Sequence, residues 1–119
     1  MRNNLNNIWS FTIMSQDDEV AHVIANFETS DISYKEYIIH PAFKQLPDNP
    51  DIHDLYNWLE DRCFPRNRDN MEKHLTNLGL TSYNPLKIVK KTRGIMWEDY
   101  IWIRFDGEDV RWDEIKHRD

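Results

Sequence analysis

The chain predicts an α+β fold, a small single domain spanning residues 1–119, with an N-terminal antiparallel β-meander, three central helices and a C-terminal β-hairpin. Three observations carry this expectation. Residues 8–39 hold three short apolar segments rich in β-branched and aromatic side chains, residues 51–94 show helical spacing with start and stop signals, and YIWIRF runs directly into Asp106-Gly107. At 119 residues the chain has room for one hydrophobic core and not for two.

In Ile8–Met14, Trp9, Phe11 and Ile13 alternate with Ser10 and Thr12, as in a strand with one buried face. After the polar turn SQDDE, Val20–Phe27 and Ile32–Ile39 read as two further strands joined through ETSD. Pro41, Pro47 and Pro50 exclude regular structure from the following loop. Asp51 then caps a helix whose stripe Ile52, Leu55, Tyr56, Leu59 and Cys63 falls on one face, and Pro65 ends it near Cys63 or Phe64. Asp69 and Glu72 have the spacing of a capping box for a second helix, with Met71, Leu75 and Leu78 inward and Gly79 as a left-handed stop. Asn84-Pro85 opens a third helix, in which Lys90, Lys91 and Arg93 complement the dipole and Gly94 closes. The Asp106-Gly107 turn would fold the last segment into a hairpin, with Arg104 opposite Asp109 and Trp102 opposite Arg111.

The net charge of -6 is unevenly spread. Residues 1–61 carry 3 basic and 11 acidic side chains, residues 62–105 carry 9 and 4, and residues 106–119 carry 3 and 6. Such blocks either complement one another in space or present an acidic surface to a basic partner. The acidic turn Asp17, Asp18 and Glu19 is the candidate docking face, and Arg62, Arg66 and Arg68 are expected to gather at one corner. Trp58 and Trp97 lack an obvious buried position and are candidate interface anchors. One cysteine precludes an internal disulfide, and the N-terminal stretch has no signal-like apolar run, so a cytoplasmic protein is expected.

The glycines Gly79, Gly94 and Gly107 are each used by a helix end or turn, so no phosphate loop is implied. The histidines are scattered. A zinc site would need His40, His53 and Cys63 to meet through the fold, and none is expected. Cys63 lies on an apolar stripe, which favours an inert thiol over a nucleophile. No catalytic residue and no cofactor is expected, and the protein is expected not to be an enzyme.

The spaced pattern Trp58, Leu59, Arg62, Pro65, Arg68, Leu78, Gly79, Gly94, Asp99 and Trp102 resembles the N-terminal region of HipA-like kinase proteins of Gram-positive bacteria and related small phage or mobile-element proteins. The chain holds no catalytic-loop aspartate and no metal-binding aspartate motif. The resemblance therefore implies a small protein-binding module and not a kinase. Size and acidity, as in anti-CRISPR proteins, suggest an inhibitor of a basic nucleic-acid-handling enzyme. Two alternatives are a regulator of a HipA-like toxin and direct nucleic-acid binding through Arg62, Arg66, Arg68, Lys87, Lys90, Lys91 and Arg93 with Tyr83 or Trp97 for stacking.

Overall fold

The computed structural model describes residues 8–63, 69–96 and 100–115. Strands β1 (Ile8–Ser15), β2 (Asp18–Asn26), β3 (Asp31–Glu36) and β4 (Ile101–Phe105) form one antiparallel sheet in the order β3-β2-β1-β4. The alternation in β1 is realised: Trp9, Phe11 and Ile13 lie opposite Ala25, Val23 and Ala21 on one side, and Phe11 and Ile13 face Phe105 and Ile103 on the other. All these residues except Phe105 are fully or almost fully buried. The Trp9 ring packs edge-on against Phe11, Phe27 and Phe105, the electrostatically favoured aromatic geometry. A bulge between Ile13 and Met14 shifts the register with β2. β3 ends at Glu36, short of Ile39, because the Tyr37 and Ile38 amides both converge on the Val20 carbonyl and the regular ladder stops there.

Helices α1 (Ile52–Asp61), α2 (Met71–Asn77) and α3 (Pro85–Thr92) contribute Leu55, Leu59, Leu75, Ile88 and Val89 to the same core as Trp9 and Phe11. Asp51 caps α1 in a reciprocal box with Asp54. Asn84 accepts from the Leu86 and Lys87 amides ahead of Pro85, as the sequence predicts. At α2 the expected Asp69–Glu72 box is replaced by a left-handed Asn70 without a side-chain cap. Its other end follows expectation: Gly79 has φ +76°, and the Leu80 amide reaches back to the Leu75 carbonyl at 2.8 Å.

The C-terminal hairpin is corrected. The turn exists, with Gly107 at φ +88°, but it leads to helix α4 (Trp112–Ile115) and β4 pairs with β1 instead. Arg104 meets Glu19 at 2.8 Å and not Asp109, while Trp102 is buried with Met14 and Ile115 and donates its indole hydrogen to the Gln16 carbonyl. The reason lies in the outer edge of β4, which other groups already occupy. The Ile103 amide donates to the Arg93 carbonyl, the Arg62 guanidinium donates to the Ile101 carbonyl, and both polar backbone groups of Phe105 turn back to Glu108. No hydrogen-bonding row is left for a hairpin partner.

Candidate binding surface

Helices α1 to α3 cover one face of the sheet, and α4 closes only the Met14 and Trp102 end of the other. Thr12 in the middle of that second face is buried, and towards Ile24 the face is exposed among the described residues. Its residues follow from the register: Ile24 lies between Ser10 and Ser33, and His22 stands between Thr12 and Lys35, with Arg104 beyond Thr12. Ile24, on a central strand, is 44% exposed, and Ile8 at the end of β1 is 41% exposed. A branched apolar side chain in the middle of a sheet normally has a layer above it. Here small serines flank it on both neighbouring strands, which leaves Ile24 accessible.

Beside this apolar spot sits a polar network that alternation alone does not reveal, because its members come from three distant segments. The Asp106 carboxylate accepts a hydrogen bond from the Ser10 hydroxyl and lies 3.0 Å from His22 Nε2. Partial burial pushes the Asp106 pKa up, but the hydrogen bonds from Ser10 and His22 and the charges of His22 and Arg104 outweigh it and hold the carboxyl below its ordinary value. The residue types are those of a nucleophilic triad, yet the order is wrong. A relay needs the imidazole between acid and hydroxyl, whereas here the carboxylate sits between them. A carboxylate with weakened proton affinity cannot activate Ser10, so the network orders the surface and does not generate a nucleophile.

The acidic turn is largely committed within the molecule. Asp17 accepts from the Trp112 amide at 2.9 Å and lies 3.5 Å from Arg111, and Glu19 holds Arg104. Both remain about half exposed, and Asp18 has no partner among the described residues. The charge blocks thus partly complement one another, as Arg93 with Glu108 also does, while Lys44 pairs with Glu36 inside the first block.

Trp58 is buried, and its indole donates to Gln45 Oε1 at 3.2 Å, because residues 45 and 46 cover a second side of α1. Arg62 is also buried, donating to the Gly94 carbonyl at 2.8 Å and the Ile101 carbonyl at 2.7 Å, so it ties α1 to β4. Neither stands at an interface with solvent. Arg66, Arg68 and Trp97 lie outside the described residues, and with them the expected arginine corner.

Of the basic set, Arg93 is held by Glu108 and Lys90 rests over the Trp9 ring at 5.2 Å. Lys87 and Lys90 border a cleft of about 330 Å³ with Trp9, Asn84 and Leu86. Trp9 is only 3% exposed, which leaves no ring face free for a nucleobase. Cys63 donates to the Leu59 carbonyl, and burial with the Glu60 charge pushes its thiol up to about 12, so it carries no thiolate at neutral pH. Among the described residues no three His, Cys, Asp or Glu side chains come together in a group that could hold a metal ion, and no described helix is long and apolar enough to cross a membrane.

No protein-family model matches the chain, and no curated protein or solved structure matches it either.

Proposed function

We propose that the protein is a non-enzymatic binding module that docks a protein partner on the open face of its sheet. The observation carrying this is Ile24, a branched apolar residue exposed on a central strand beside Ile8 and next to the ordered Ser10–His22–Asp106 network. An apolar spot rimmed by fixed polar groups has the anatomy of an interface centre. The net charge of -6 and the exposed Asp18 of the β1–β2 turn favour a basic partner, in keeping with an inhibitor of a nucleic-acid-handling enzyme. A HipA-like toxin is the other partner the sequence pattern suggests.

Affinity capture from a host lysate, run with wild type and with Ile24→Glu, tests the proposal. Ile24→Glu should keep the wild-type melting temperature and lose the retained protein, because the residue is exposed in the free chain and covered in the complex. Asp18→Arg should slow association, and binding should weaken as salt brings the screening length to about 8 Å. Capture unchanged by Ile24→Glu would end the proposal. Direct binding to DNA or RNA that is abolished by Lys87→Glu would replace it with a nucleic-acid function.

A further inference from the structure

We propose that the chain pairs with a second copy of itself along β3, giving a two-fold symmetric, continuous eight-stranded sheet. The register fixes which groups are available. The Tyr37 amide donates to the Val20 carbonyl, so along β3 the odd-numbered residues bond inward to β2 and Ile32, Tyr34 and Glu36 direct their amides and carbonyls outward. Among the described residues no backbone group of β3 has a partner on that outer side. This strand is an open template.

What singles out a second copy is charge. Antiparallel pairing requires outward residues to face outward residues, with side chains of one sheet face opposite side chains of the same face. Centring the two-fold axis on Ser33 puts Ser33 opposite the partner's Ser33, Ile32 opposite the partner's Tyr34, and Asp31 opposite the partner's Lys35, twice by symmetry. Asp31, Ser33 and Lys35 are all exposed in the monomer. Moving the axis to Tyr34 sets Lys35 against the partner's Ser33 and Ile32 against the partner's Glu36, and moving it to Lys35 sets two lysines face to face. An edge lysine ordinarily repels other strands. Here one register turns that guard into a matched pair, and Asp31 and Lys35 fall at the non-hydrogen-bonded positions where side chains approach closest. The contact leaves Ile24 uncovered and places two open faces side by side.

Sedimentation equilibrium of the wild type should show a concentration-dependent monomer–dimer equilibrium. Lys35→Glu should weaken dimerisation at least tenfold by setting like charges opposite each other, and adding Asp31→Lys to it should restore the dimer with the charges exchanged. Asp31 also accepts from the Thr29 hydroxyl in the adjoining turn, so Ser33→Cys supplies an independent readout. Two Ser33→Cys copies meet at the axis within disulfide reach and should cross-link under mild oxidation, whereas the buried Cys63 leaves oxidised wild type uncrosslinked. A wild type that stays monomeric at all concentrations, a charge exchange that fails to restore dimers, or a Ser33→Cys protein that stays monomeric on oxidation would each overturn the proposal. Loss of dimerisation with partner capture intact would leave the docking face standing on its own.

Discussion

The two edges of the sheet are finished in opposite ways. On β4 the outer row is consumed by two groups distant in sequence, the Arg62 side chain and the Arg93 carbonyl, and by the Glu108 carboxylate just past the turn. On β3 no described residue partners the outer row, and the side chains of its open face are charged or small. The difference teaches that an edge strand is defined by where its backbone groups go, which the side-chain pattern does not encode. YIWIRF-Asp-Gly and ISYKEYII both read as strands beside turns. Only the spatial partners make one closed and the other open.

The closed edge is broken most severely at Arg62. Arg62→Ala removes the hydrogen bonds of a buried charged donor to the Gly94 and Ile101 carbonyls, so it should destabilise by about 4 kcal/mol. Hydrogen exchange should then rise along β4, giving the molecule two open edges and a tendency to aggregate. Unchanged β4 protection would show that Arg93 and Glu108 suffice to close the edge. Leu59→Ala, fully buried under the covered face, should cost about 3 kcal/mol by leaving a cavity. Because that loss is global, exchange should rise at both edges together, in contrast to Arg62→Ala, and an unchanged denaturation midpoint would remove α1 from the core.

Gly107→Val tests the turn that delivers Glu108 to Phe105. Space around Gly107 is open, so the cost is backbone strain at φ +88°, about 1 to 2 kcal/mol, read as a lowered denaturation midpoint. A neutral result would show that the turn relaxes without releasing the edge.

Much of the core was legible because it depends on local rules. The alternation in Trp9, Phe11 and Ile13, the stripe from Ile52 to Cys63, the Asn84-Pro85 start and the Gly79 stop all specify geometry within a few residues. What stayed hidden depends on long-range placement. Trp58 looked exposed because its cover comes from Gln45 and Leu46, and Arg62 looked like a surface charge because its acceptors lie on residues 94 and 101. The Ser10–His22–Asp106 network joins three segments through the sheet register and left no spacing to find. Asp106-Gly107 suggested a hairpin because the local turn is genuine, while β1 and the Arg62–Arg93–Glu108 row compete for both sides of β4 and win.

The smallest expected effect concerns acid. The hydrogen bond from Arg93 holds the Glu108 carboxyl below its ordinary value, and Arg93's charge and the Phe105 amide act the same way, outweighing partial burial. A depressed folded-state pKa contributes stability that is fully present above the unfolded value, about 4.3, and is lost as pH falls through the folded value. Asp106 shifts in the same direction. The melting temperature should therefore fall as pH drops below about 4, and Glu108→Gln should flatten that dependence while costing under about 1 kcal/mol at neutral pH, since the pair is partly solvated. The edges should separate in the same experiment. Glu108 Oε1 accepts from the Phe105 amide, so the protection factor of that amide should drop on acidification, whereas the outward amides of the β3 monomer have no carboxylate lock to lose. Phe105 protection that is unchanged between neutral pH and about pH 3 would show that the Asp106-Gly107 turn holds the end of β4 without Glu108.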